Sequence, residues 1–334
     1  MATDNRVTIH EVARLAGVSI ASVSRALSGA NPVSEATAQK VRAAADRLGY
    51  KVDPLGQSLR KRKTKTIGLI VADISNPFFA ALVIAVEEAA QAAGYGVLLA
   101  HSGNNVAKES AAITRLLQRR VDAMFIAPSD RIRSRPAVVR SAAEVPTVQL
   151  DRFASSKAHY IGMDNDAAIN DLLSLLASHD RRTFAFVGSD PHASTTWERQ
   201  KAFVRAAAAI DPRAPQRVHS GTFTYAWGLE SVGAILANAP DVDAIICASD
   251  VIALGVIEGL TRAGRRVPEN VAVAGFDDTL FATLKEPQLT SVRQPLAAMS
   301  QAAVALIDDE NGQPQRRTMP ATIITRASTR SARH

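Results

Sequence analysis

A lone cysteine, Cys247, stands in the 334 residues, which rules out an intrachain disulfide and fits a reducing compartment. It sits in the apolar run Ala244–Ala248, where core packing accounts for it. No group of histidine, cysteine and carboxylate residues has metal-ligand spacing, and the seven histidines are scattered without an H-x-x-x-H pair. Neither a metal nor another cofactor is therefore expected. No charge-free apolar run approaches the roughly eighteen residues that a membrane span requires. The polar amino terminus carries no apolar stretch of the secretory kind, so a cytoplasmic protein with no membrane partner is expected. G-x-S-x-G, a Walker-type phosphate loop and a G-x-G-x-x-G after a strand are all missing. Enzymatic turnover is not expected, although the acid pair Asp277-Asp278 taken alone would suit hydrolysis.

What the chain does have is unevenly placed charge. Residues 1–66 hold 12 Lys and Arg against 5 Asp and Glu, while the whole chain has 39 against 32, a net of +7. The entire excess lies in the first fifth. A basic end on a neutral body points to a polyanion, with nucleic acid ahead of membrane. The length implies two or three domains, and 47% hydrophobic residues suffice for sizeable cores.

Thr8-Ile9-His10-Glu11 has the form of a capping box, and Ile9, Val12, Ala13 and Ala16 follow at helical spacing until Gly17 stops the helix. Ser19 caps a second helix running to about Leu27, with Val23, Ala26 and Leu27 facing inward. Ser34 caps a third, with Val41, Ala44, Ala45 and Leu48 on one face and Gly49 past its end. Two short helices around a Gly-Val-Ser turn form a helix-turn-helix pattern. In such a unit the second helix enters the major groove through its N-terminal residues, here Ile20, Ala21 and Ser22, with Arg25 one turn on. Arg25 suits a guanine edge, while Ile20 and Ala21 offer only apolar contact, for example to a thymine methyl. Ser22 suits a phosphate or a tertiary bond. A small helical bundle with an incidental arginine is the plainer alternative.

Residues 51–65 read as a hinge. Asp53 and Pro54 open a helix of about two turns, too short to persist alone, which Gly56 weakens by a further ~1 kcal/mol relative to alanine. The expectation is helix only when docked. Leu59, beside Arg60 in a basic run, suits a wedge in the minor groove; a flexible linker with a stray leucine is the alternative.

From residue 66 the chain alternates strands and helices up to about 326. Ile67–Ala72, Val97–His101, Ala123–Ala127 and Thr147–Leu150 read as buried strands of a first lobe. Tyr160–Met163, Thr183–Gly188, Ala244–Ala248 and Val271–Gly275 read as those of a second. Alternation of this kind implies α/β lobes with parallel sheets. Pro295–Asp309 and Thr322–Thr325 are expected to return to the first lobe, and Ala327–His334 to be a disordered tail. Ligands of such sheets bind outside the carboxyl ends of the strands. There lie Asp73, Phe78, Phe79, Asp130, Asp151-Arg152, Ser189-Asp190, Ser249-Asp250 and Asp277-Asp278, with Arg199 on the helix after Gly188. Carboxylates accept from hydroxyls, arginine donates and rings stack on sugar faces. For Asp73, Asp190 and Asp250, helix capping is the stronger reading.

The strings "TIHEVARLAGVSIASVSRALSG", "VSEATAQKVRAAADRLGY" and "TKTIGLIVADISNPFFAAL" resemble the lactose/galactose-repressor family of bacterial regulators, and the resemblance runs nearly the full length. It implies an all-α helix-turn-helix headpiece (1–50) joined by the hinge to a two-lobe sensor like a periplasmic binding protein (66–326). It also implies that Leu59 intercalates at the centre of a palindromic operator. Asp151, Arg199 and Asp277 would line the effector cleft, with Phe79, Asp130, Phe223, Ser249 and Gln294 as further candidates. Ser249 stands where asparagine is frequent in the family, and Trp197 where arginine is. The expected partners are a pseudopalindromic duplex, a carbohydrate effector and a second copy of the chain, as a dimer or a tetramer. No leucine heptads follow Arg326 to build a coiled coil. An effector that alters the angle between the lobes would alter the spacing of paired hinges; whether it induces or co-represses stays open. A solute-binding protein would fit residues 66–326 alone.

Overall fold

The computed structural model describes residues 7–28, 33–50, 63–309 and 313–330. The chain divides between Lys65 and Thr66 into two compact units. Leu59, Arg60 and most of the expected hinge lie outside the described residues.

The first unit contains α1 (Ile9–Ala16), α2 (Ile20–Ser28) and α3 (Glu35–Leu48). Each boundary has a local cause. The Glu11 carboxylate accepts from the Thr8 amide at 2.7 Å and from the Thr8 hydroxyl at 3.0 Å, satisfying an orphan donor of α1. Gly17 ends that helix at φ 65°, where a residue without Cβ is easiest. Ser19 and Ser34 accept from the amides of Ser22 and Thr37 at the starts of α2 and α3. Val12, Ala13, Val23, Val41, Ala44 and Ala45 bury against one another as the core.

The second unit has two six-stranded sheets. The first contains β1 (Thr66–Val71), β2 (Gly96–His101), β3 (Ala123–Ile126), β4 (Thr147–Leu150), β5 (His159–Met163) and β11 (Arg316–Met319) in the order β11-β5-β4-β3-β1-β2. The second contains β6 (Phe184–Gly188), β7 (Val218–Ser220), β8 (Ala244–Cys247), β9 (Ala272–Phe276), β10 (Thr290–Arg293) and β12 (Thr322–Ile324) in the order β12-β10-β9-β8-β6-β7. All pairings are parallel except that of β12 with β10. Among the described residues nine helices accompany the sheets: α4 (Pro77–Ala92), α5 (Val106–Gln118), α6 (Arg135–Glu144), α7 (Asn165–Ser178), α8 (Ser194–Ala207), α9 (Tyr225–Asn238), α10 (Asp250–Arg262), α11 (Phe281–Leu284) and α12 (Leu296–Ala305). The chain therefore passes between lobes three times, near Asp164, near Gln294-Pro295 and near Pro320-Ala321.

Three expectations are corrected. Tyr160–Met163 belongs to the first lobe, where β5 pairs with β4. Thr322–Thr325 joins the second, where Arg293 faces Thr322. Residues 327–330 are no loose tail: Ala327–Thr329 form a 3-10 turn with Ser328 and Thr329 buried. The Ser328 hydroxyl donates to Val273 O at 2.6 Å and accepts from Thr290 N at 2.8 Å, so unpaired groups beside β9 and β10 hold the turn in place. Pro295–Asp309 does return to the first lobe, as α12 packed in the core of α4.

In the second lobe α9 and α10 touch at the backbone. A Cβ on Gly228 would lie 2.1 Å from Ile252 O, and one on Gly255 2.1 Å from Tyr225 O. Backbone atoms on both sides leave nothing to rotate away. Gly255→Ala should destabilise the body by roughly 2–3 kcal/mol, read as a lower urea midpoint by circular dichroism; an unchanged midpoint would show that the helices separate freely.

Candidate functional site

In the headpiece, Ile20, Ala21 and Arg25 are exposed on one face of α2, while Val23 on the opposite face is buried. The Arg25 Nε–H donates to Ala21 O at 3.2 Å, laying the guanidinium along that face. Ser22 is half-buried, and its hydroxyl lies 2.9 Å from that of Ser19. Its position is thus set by the cap. A short helix offering apolar side chains at its first turn and an arginine one turn later has the shape and chemistry for a major groove.

The sensor's two sheets each reverse strand order, at β1/β3 and at β6/β8, and such switch points open a crevice beyond the strand ends. Both crevices face one cavity of about 590 Å³. Its first-lobe wall includes Asp73, Asn104, Asp130 and Arg133; its second-lobe wall includes Asp190, His192, Thr222 and Phe223. Of the eight candidates, Asp130 and Phe223 border this cavity.

Deeper in, Asp151 and Arg152 from the first lobe meet Arg199, Asp277 and Gln294. Arg199 is 3% exposed; its Nε–H donates to Asn165 Oδ1 at 2.7 Å and its Nη1 to Ala248 O at 2.6 Å. The guanidinium lies 4.1 Å from the ring centre of Phe276. Gln294 Nε2 donates to Asp277 Oδ1 at 3.0 Å, leaving its Oε1 without a partner. Asp151 and Asp277 hold φ of 63° and 100°, a region that side chains other than glycine rarely adopt. Neither begins a helix, so capping does not explain them.

Arg152 divides the inner group from the outer cavity. Its guanidinium lies 5.2 Å from the Phe79 ring centre and 5.4 Å from that of Phe223. Nη1 donates to Asn104 Oδ1 at 2.8 Å, and Nε is buried without a partner. Phe79 is thus reached through Arg152 rather than open to the cavity. The Asp151-Arg152 pair was visible after the fourth strand, but the slot between two rings from different lobes was not. Asn104 and Arg133 were also missed; the only sequence signal is a turn-rich "SGNN" and a run of arginines.

Several carboxylates serve turns. Asp130 Oδ1 accepts from the amides of Ile132 and Arg133, both at 2.8 Å. Asp73 and Asp190 close turns onto Ser75 and His192 rather than capping helices as expected, since Asn76 stands at the start of α4 and Ala193 at that of α8. Ser249 is the N-cap of α10, its hydroxyl accepting from Ile252 N at 3.4 Å. Asp250 differs from the capping expectation: its carboxylate is buried and accepts from Thr279 and Ser291, tying α10 to the strand ends beyond β9 and within β10.

A two-lobed ligand-binding body joined in one chain to a helix-turn-helix unit defines a regulator that reads DNA and senses a small molecule. Residues 8–53 match the model of bacterial regulatory proteins, lacI family, and residues 173–329 that of a periplasmic binding protein-like domain. Catabolite control protein A of Priestia megaterium is 32% identical over 90% of this chain and 91% of its own. The chain belongs to the lacI family of bacterial transcriptional regulators. Its relatives are regulators, not enzymes. Among solved structures, a complex of the transcriptional regulator CelR with cellobiose is 30% identical, with a TM-score of 0.72 over 97% of this chain and 100% of that one. A lac repressor dimer bound to operator and the anti-inducer ONPF shares the fold, with a TM-score of 0.86 at 23% identity over 97% and 99%. Among the described residues, no helix is long and apolar enough to cross a membrane.

Burial raises the pKa of Asp151 from 3.8 to about 6, against the opposing pull of Arg199 and Arg152. The folded state then holds a proton that the unfolded state has released, and stability falls as pH rises between these two values. Asp151→Asn should remove that part of the decline; a melting-temperature profile from pH 4 to 7 with its slope intact would place the titration elsewhere.

Proposed function

We propose that the chain represses transcription as a cytoplasmic homodimer on pseudopalindromic operators, and that a neutral, polyhydroxylated molecule in the cleft resets its grip. The single observation that carries the effector reading is the pairing of buried charges at the joined switch points. Each inner arginine already has a carboxylate nearby, Arg152 with Asp151 and Arg199 with both Asp151 and Asp277. A net anion would oppose these carboxylates, whereas hydroxyls can donate to them and accept from the unsatisfied Arg152 Nε–H. The CelR–cellobiose complex supports a sugar of this kind. A dimer is supported by the exposed Ile84, Leu280 and Leu284 beside an apolar groove that includes Pro77, Leu296 and Ala298.

Asp151, Arg199, Asp277 and Gln294 are assigned to the effector, with Phe223 on the cavity wall and Phe79 acting through Arg152; Asp130 closes a turn at the cleft and Ser249 caps α10. Ile20, Ala21, Ser22 and Arg25 are assigned to the operator, together with Leu59 and Arg60 of the hinge. A thermal-shift screen of neutral sugars, sugar acids and phosphosugars on the full chain tests the effector class. Stabilisation by the charged members alone would overturn it.

The DNA reading has its own check. Arg25→Ala should lower discrimination at one base pair per half-site by ~1–3 kcal/mol while binding to random duplex stays the same. Equal losses on selected and random duplexes in a gel-shift titration would remove Arg25 from base recognition.

A further inference from the structure

The loop after β3 reaches across from the first lobe to the second. The Arg131 amide donates to His192 O at 2.8 Å, and its Nε–H donates to Pro191 O at 3.3 Å. Its guanidinium carbon lies 4.8 Å from the ring centre of Trp197 on α8. Next to it, Asp130 Oδ2 is 3.7 Å from His192 Nδ1. Lys201, one turn along α8, places Nζ 4.5 Å from the Trp197 ring. Arg135 and Arg140 do not cross: Arg135 donates to Ala154 O and Arg140 to Ser110 O and the Thr114 hydroxyl, all within the first lobe. Two further bonds join the first lobe to α8, from Phe153 N to Ser194 Oγ at 2.8 Å and from Arg316 Nη2 to Glu198 Oε1 at 3.4 Å.

We propose that Arg131 and Trp197 are positioning residues for the effector cleft, forming a clasp that holds the lobes together and sets the fraction of molecules with the cleft closed. Arginine suits the post because one planar group donates to a carbonyl while its guanidinium approaches an indole. Trp197 therefore acts between the lobes rather than as a platform for the ligand, and it borders none of the cavity described above. Neither residue borders the cavity, so the clasp contributes to closure independently of the contacts a ligand would make. An effector that binds the closed form gains apparent affinity in proportion to the closed fraction. That last consequence rests on the effector reading; the clasp itself does not.

The test uses the full chain without added ligand. Hydrogen–deuterium exchange by mass spectrometry is followed at two amides that are protected only while the lobes meet, those of Arg131 and Phe153. Arg131→Ala and Trp197→Ala should each speed exchange at the Phe153 amide by roughly tenfold, with the β1 and β8 cores unchanged. Arg131→Lys and Trp197→Phe should restore part of the protection. An unaltered rate at Phe153 in the alanine variants would overturn the clasp. So would acceleration spread evenly through β1 and β8, which marks general destabilisation. Should Trp197→Ala fail to fold, the half-buried Arg131→Ala and the ring-retaining Trp197→Phe decide the matter by the same readout. A failure of the effector reading would appear separately, as the absence of any stabilising sugar, with the exchange result standing.

Discussion

A charge taken out of water must find its opposite, and in this protein the two halves of the compensation come from different lobes. Asp151 and Arg152 belong to the first lobe; Arg199 and Asp277 belong to the second. Separately, each lobe would present one arginine and one aspartate to solvent. Together they enclose four charges whose burial is tolerable only because they face one another. The raised pKa of both aspartates expresses that cost. Separating the lobes would undo this balance, so the four charges tie the cleft's chemistry to its geometry.

The headpiece follows a different logic. Its core is made of valines and alanines on three short helices, and its boundaries rest on caps and left-handed glycines. Such a unit is defined by near neighbours in sequence. Its outer face therefore carries Ile20, Ala21 and Arg25 on a scaffold completed by the headpiece's own packing.

This contrast explains what could be read from sequence. Thr8, Gly17, Ser19, Ser34 and Gly49 announce their helices because capping is local, and the structure has each helix where those residues put it. The strands of the sensor were mostly recognisable as apolar runs, yet Tyr160–Met163 and Thr322–Thr325 went to the wrong lobe. Lobe membership is a matter of non-local pairing, and no change of composition marks the three crossings. β7, β10 and β11 are short and carry polar residues, so periodicity did not reveal them. Asp151, Arg199 and Asp277 were named from position and resemblance, and the fold brings them near one another between the lobes. Arg152's place between two rings, and Arg131's reach onto Trp197, arise from folding two distant stretches together and leave no mark in either.

The triple passage of the chain between lobes has a consequence for biosynthesis. Neither lobe is a continuous piece: the first awaits α12 and β11, and the second awaits β12 and the buried turn at Ser328. The headpiece is finished by Tyr50. On a ribosome the DNA reader can therefore fold about 280 residues before the sensor is complete. Throughout that interval a nascent chain can hold a formed helix-turn-helix unit while both sheets still lack strands.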